Sequence, residues 1–175
     1  MKSIGYLWLI LLFSSCHVVR VQTDYEKETD FSNYSTYNYY NDMETGLSEL
    51  DQKRLIKTLD LAMQTKGFLL SEEPDFLVNI QSAIYQAPRN NTVGVGVGGT
   101  GRNVGGGVSV GIPVGQSNLQ REIQFDFVDS QKDMLIWQAI SKSHLNENAT
   151  PVEREKKLQQ VVEKVLSKYP ARTRK

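Results

Sequence analysis

The chain has 175 residues, 39% of them hydrophobic and 23% charged, with 20 basic residues against 20 acidic ones. That balance leaves no electrostatic footprint for nucleic acid, which needs a basic face. A single cysteine and two histidines rule out a disulfide scaffold and starve a zinc site of ligands.

The N-terminus opens on Met1-Lys2-Ser3, and from Ile4 to Phe13 every residue except Gly5 is apolar or aromatic. A spanning helix needs about 20 apolar residues, and Ser14-Ser15 interrupts this run first. The stretch has the layout of an export signal, a short positive segment followed by an apolar one. Phe13-Ser14-Ser15 then leads into Cys16, the only cysteine. This junction resembles the bacterial lipobox, with phenylalanine where leucine is commoner. The resemblance implies cleavage between Ser15 and Cys16 and a diacylglyceryl group on the Cys16 sulfur. Two acyl chains anchor a protein stably where one binds only marginally. His17-Val18-Val19-Arg20 follows, with no aspartate beside the cysteine. By similarity to known sorting patterns, that implies an outer-membrane position facing the periplasm. Removal of residues 1–15 leaves 160 residues, 16–175, the size of one domain.

In the mature chain, Val19, Val21 and Thr23 alternate with Arg20, Gln22 and Asp24, the period of a half-buried strand. Residues 31–40 are aromatic and β-prone and predict a loop entering a second strand. Between Ser48 and Lys66, Leu55, Ile56, Leu59, Ala62 and Met63 have helical spacing, and Gly67 stands where a helix ends in positive φ, with Phe68 placed to pack back. After Pro74-Asp75, Phe76, Val78, Ile80, Ser82 and Ile84 alternate with their neighbours and predict a long third strand. Ile123, Phe125 and Phe127 lie on one face of a fourth, from about Leu119 to Asp129. The short turn Ser130–Asp133 implies a hairpin with Met134–Ile140, leaving Ser141–His144 as a polar stretch. A last helix runs from about Val152 to Tyr169, with Pro151 in its first turn and Pro170 as its stop. The order predicts an α+β fold: an antiparallel or mixed sheet of about five strands with both helices on one face.

Few residues are candidates for chemistry. Gly94-Val95-Gly96-Val97-Gly98-Gly99 satisfies a dinucleotide-binding spacing, but no helical pattern follows it, as that motif requires. Residues 92–115 read instead as a glycine-rich flexible hairpin or loop. No serine sits in a nucleophile-elbow pattern to pair with His144. Asp126, Asp129 and Asp133 fall near one hairpin, where carboxylates ordinarily serve a wet face and turn. No cofactor or metal is expected. Tyr34, Tyr37, Tyr39 and Tyr40 are the candidate ligand face, an aromatic platform for sugar rings.

Asp24-Tyr25, Phe31, Tyr34 and Tyr37, then Lys66-Gly67-Phe68, Pro74-Asp75-Phe76-Leu77-Val78, Ile136-Trp137, Val165-Leu166 and Tyr169-Pro170 together resemble the landmarks of a family of bacterial lipoproteins, domain of unknown function 4136. The resemblance spans nearly all of the mature chain. It implies the lipid anchor and the α+β architecture, and brings no activity with it. The expectation is a non-enzymatic envelope lipoprotein, held to the membrane by its N-terminal lipid and contacting another envelope component. The alternative is a binding module for a glycan or small apolar ligand, and a hydrolase using Asp126, Asp129 or His144 is the weakest reading.

Overall fold

The computed structural model describes residues 19–87 and 119–170. The expected signal segment, Ser15, Cys16 and the glycine-rich stretch 92–115 lie outside the described residues. Within them the elements are β1 (Arg20–Tyr25), a 3-10 turn (Phe31–Asn33), β2 (Thr36–Tyr39), α1 (Glu49–Thr65), β3 (Leu69–Leu70), β4 (Phe76–Gln86), β5 (Leu119–Asp129), β6 (Met134–His144) and α2 (Pro151–Leu166).

The strands form one mixed sheet in the order β1-β6-β5-β4-β2-β3. β1, β6, β5 and β4 pair antiparallel in turn, whereas β2 runs parallel to both β4 and β3. The sheet therefore has six strands rather than five. The addition, β3, is two residues long with both leucines exposed, too short to leave a period in the sequence.

Both helices cover one face. Leu55, Leu59 and Met63 of α1 and Leu158, Val161, Val162 and Val165 of α2 share a core with Phe76, Val78, Ile80, Ile123, Phe125, Phe127 and Trp137 from the strands. Each helix is closed by its own sequence. The Ser48 side chain accepts from Asp51 N–H at the start of α1. At its other end Phe68 N–H donates to Met63 O and Gly67 N–H to Gln64 O, a Schellman ending made with Gly67 at φ +84°. α2 begins in a reciprocal capping box between Thr150 and Glu153, which satisfies amides that the first turn would leave orphaned.

Two local devices decide which side chains reach the core. Phe127 stands opposite Trp137 and Val128 opposite Leu135, so Ile136 is an extra residue in β6. This bulge breaks the alternation, and Ile136 and Trp137, though adjacent, are both buried. Asp75 ties β2 to β4: its carboxylate accepts from Ser35 N–H at 2.7 Å and Thr36 N–H at 2.8 Å. Burial pushes the Asp75 carboxyl up, but these bonds outweigh it and hold the group below the usual range.

Candidate functional site

The two ends of the sheet differ in chemistry. At the hairpin end the interior is aromatic. Tyr169, just beyond α2, packs against Phe31, Phe68, Phe127 and Trp137 with centroids 5.2–5.6 Å apart. Phe76 stacks on Phe127 at 4.9 Å. Most of the family landmarks collect here, so their role is to build the core.

The expected tyrosine platform does not exist. Tyr34 and Tyr37 are buried, Tyr39 and Tyr40 partly so, and three of the hydroxyls are committed to carboxylates. Tyr34 Oη donates to Asp129 Oδ2 at 2.7 Å, while Tyr37 and Tyr39 both donate to Asp60 Oδ1, at 2.8 and 2.6 Å. Burial, then these acceptors, raise all three phenol pKa values. The β-prone composition of this segment supplied core and latch residues, and its rings do not share an open face.

Of the hairpin carboxylates, Asp126 and Asp133 serve the outer face and the turn as expected, and Asp129 departs from that expectation. Asp129 is buried, accepting the Tyr34 hydroxyl and the Gln131 and Lys132 amides. Its desolvation is outweighed by those donors, which keep the carboxyl below the ordinary range. Asp126 lies on the outer face and accepts from Gln124 and Gln138, and Asp133 holds the turn at φ +51°. The polar stretch 141–144, expected to follow the strand, is part of it: β6 continues through His144, and Ser141 buries its hydroxyl by donating to Ile123 O at 3.0 Å.

At the opposite end the interior is charged. Asp51, in the first turn of α1, is 1% exposed and meets three guanidinium groups. Arg54 Nη1 donates to its Oδ1 at 2.8 Å, and Arg121 Nη1 of β5 and Arg154 Nη1 of α2 each reach Oδ2 at 3.4 Å. The cluster thus ties both helices to the sheet. Burial alone would raise the Asp51 carboxyl, but the Arg54 and Arg121 hydrogen bonds and the charges of Arg121 and Arg154 prevail and lower it. Arg154 is further fixed by donating to Ala149 O and Glu147 O. Arg121 Nε is buried with no partner among the described residues.

This cluster opens into a groove of about 530 Å³ between the ends of β5 and β6, residues 145–149 and the first turns of α2. Ser143, His144, Lys156 and Lys157 are among its walls. No single motif announces it: Asp51, Arg121 and Arg154 are dispersed in sequence. The only sequence signal was Arg121 itself, a cation on the alternation otherwise occupied by Ile123, Phe125 and Phe127.

Among the described residues no three His, Cys, Asp or Glu side chains are grouped to hold a metal ion. Likewise, no described helix is long and apolar enough to cross a membrane.

The molecule is thus an α+β domain with one helix-covered face, one open amide-rich face and a cationic groove at one end. Residues 21–171 match the domain of unknown function DUF4136, and the chain belongs to that family. A crystal structure of a DUF4136 family protein from Bacteroides thetaiotaomicron is similar, with a TM-score of 0.55 and 13% identity over 90% of this chain and 98% of that one. A PDZ domain protein from Parabacteroides distasonis gives a TM-score of 0.56 at 14% identity, covering 90% of this chain, which spans only 37% of that protein's length. A PelC dodecamer from Paraburkholderia phytofirmans gives a TM-score of 0.53 at 8% identity over 89% of this chain and all of that one. These likenesses establish the fold. No curated protein matches.

Proposed function

We propose that this protein is a lipid-anchored, non-enzymatic interaction domain of the bacterial cell envelope, tethered through Cys16 to the outer membrane and facing the periplasm. The observation that carries the interaction reading is the contrast between the two sheet faces. Of the candidate side chains, Asp129 and Tyr34 are spent on each other, and Tyr37 and Tyr39 on Asp60. The face away from the helices has no covering element among the described residues. Across β4, β5, β6 and β1 it presents the rows Asn79, Asp126, Gln138, Asp24 and Gln81, Gln124, Ile140, Gln22. Partly exposed amides on a rigid sheet are suited to hydrogen-bonding a partner surface. β1 adds a sheet edge whose outer side is unpaired among the described residues, the kind of edge that accepts a further strand.

The same rows favour the second reading, glycan binding, because planar amides and the Asp126 carboxylate offer donors and acceptors for sugar hydroxyls. Two experiments test the proposal. Radiolabelled palmitate should enter the wild-type protein and not Cys16→Ser, since only the thiol can be alkylated; equal labelling refutes the anchor. A photo-crosslinker placed at Gln81 or Gln124 in intact cells should capture an envelope protein for the leading reading or cell-wall glycan for the second. Capture only from a control position on the helices, such as Lys53, refutes both.

A further inference from the structure

We propose that the groove around Arg121 is a phosphate site, and that it takes the phosphodiester headgroup of the membrane lipid beside which Cys16 would hold it. The second half of this proposal rests on the lipid-anchor reading, whereas the first does not.

The charge count argues for an anion. Asp51 supplies one negative charge to three guanidinium groups whose side chains are 15–32% exposed; of the three, Arg121 and Arg154 line the groove, so one positive charge remains in surplus there. The other acids of the groove, Glu147 and Glu153, are matched in number by Lys156 and Lys157, and Glu153 is turned to the Thr150 cap. Carrying an uncompensated cation out of water is costly, and a bound oxyanion removes the cost.

Geometry selects Arg121 as the contact. Arg154 spends three nitrogens on Asp51, Ala149 and Glu147. Arg121 spends one on Asp51 and keeps a buried Nε without a partner among the described residues. The Nε and Nη edge of a guanidinium is the fork that binds phosphate through two parallel bonds; Nε is covered as the side chain stands, so binding requires Arg121 to turn this edge toward the groove. A volume of about 530 Å³ holds a glyceryl phosphodiester as well as a bare phosphate.

Topology sets the groove beside the tether. Arg20 opposite Lys142 begins the β1–β6 pairing, so β1 starts at the end of the sheet where Ser143 and His144 form the groove wall. Val19 follows Cys16 by three residues, which span at most about 10 Å when extended. A lipid on Cys16 would therefore keep this end of the domain, rather than the aromatic end, against the headgroups.

The test uses full-length protein processed in cells, ¹⁵N-labelled and held in a neutral detergent, with the Arg121 Nε–H resonance followed in solution. Inorganic phosphate and glycerophosphoglycerol are titrated separately, against sodium chloride as a screening control. A saturable shift with both, absent in chloride, is expected. Arg121→Gln should weaken binding about tenfold or more through loss of the charged fork. Lys156→Gln with Lys157→Gln, exchanges at the groove wall that leave Asp51 and its arginines intact, should weaken it about threefold. A shift with phosphate alone overturns the headgroup assignment and leaves a free-phosphate site. No saturable shift with either anion, or unchanged binding in the lysine variant and in a folded Arg121→Gln, overturns the site itself. Because the probes are dissolved anions, the outcome does not depend on the palmitate result at Cys16.

Discussion

Replacement of Asp51 by asparagine should destabilise the domain by about 3–4 kcal/mol, without changing its fold. Removing one partner of a buried ion pair costs about 3–5 kcal/mol, because the other charge is left uncompensated. Here the carboxylate is 1% exposed but its partners are 15%, 22% and 32% exposed, so the guanidinium groups recover part of their hydration and the lower half of the range applies. The measurement is urea unfolding at neutral pH, where a shifted midpoint with an unchanged slope marks a change in stability alone. The effect has a pH signature whose sign follows from the carboxyl's depressed folded-state pKa. A group that holds its proton less tightly when folded contributes stability that is complete above its unfolded pKa of about 3.9 and disappears as pH falls through the folded value. The gap between wild type and Asp51→Asn should therefore be full at neutral pH and close only below about pH 4, where Asp51 itself becomes neutral. A gap under about 1 kcal/mol at neutral pH, or one that persists undiminished at about pH 2, would refute the view that ionised Asp51 holds the helices to the sheet.

Two glycines should rank by geometry. Gly46 and Gly67 both sit at positive φ, +68° and +84°, a conformation that costs a side-chain-bearing residue about 1–2 kcal/mol. A Cβ on Gly46 would also stand 2.7 Å from the Ser82 carbonyl oxygen, so Gly46→Ala should lower the melting temperature clearly more than Gly67→Ala, and the reverse order would refute the clash. Trp137 is 1% exposed and its Nε1 has no partner among the described residues. Trp137→Ala should cost about 3–5 kcal/mol, whereas Trp137→Phe should recover most of that in chemical unfolding, since it also removes a buried unpaired donor worth about 1–3 kcal/mol.

How much of this was legible depended on whether the cause was local. The helix ending at Lys66-Gly67-Phe68 could be read because a Schellman motif is written in adjacent residues, and β5 because Ile123, Phe125 and Phe127 alternate without interruption. The β5–β6 hairpin was legible from its short turn, but the reach of β6 to His144 was not: Ser141 and Ser143 look like loop residues until β5 supplies the Ile123 carbonyl to which Ser141 donates. The tyrosines misled for a related reason. Aromatic residues in a β-prone segment are equally consistent with a platform and with a core, and the carboxylates that decide the matter, Asp60 and Asp129, are 21 and 95 residues away along the chain. The Asp51 cluster was hidden most completely, since its members come from α1, β5 and α2 and meet only once both helices have docked on the sheet.

The pairing of β1 with β6 links architecture to the proposed position in the envelope. Because that pairing is antiparallel, with Tyr25 opposite Trp137 and Arg20 opposite Lys142, β1 begins at the charged end of the sheet and finishes beside the aromatic cluster. Parallel pairing on the same edge would start β1 at the hairpin end, and a lipid on Cys16 would then hold Trp137 and Tyr169 near the bilayer, with the arginines at the far side of the domain. Sliding the strand by one residue would also move Val21 off the helix-covered face, because side chains alternate with a period of two. Buried Val19 and half-buried Val21 therefore fix more than a small amount of apolar area. They fix the register of the strand that would join the domain to the proposed lipid on Cys16, and with it the end of the sheet that would meet the membrane.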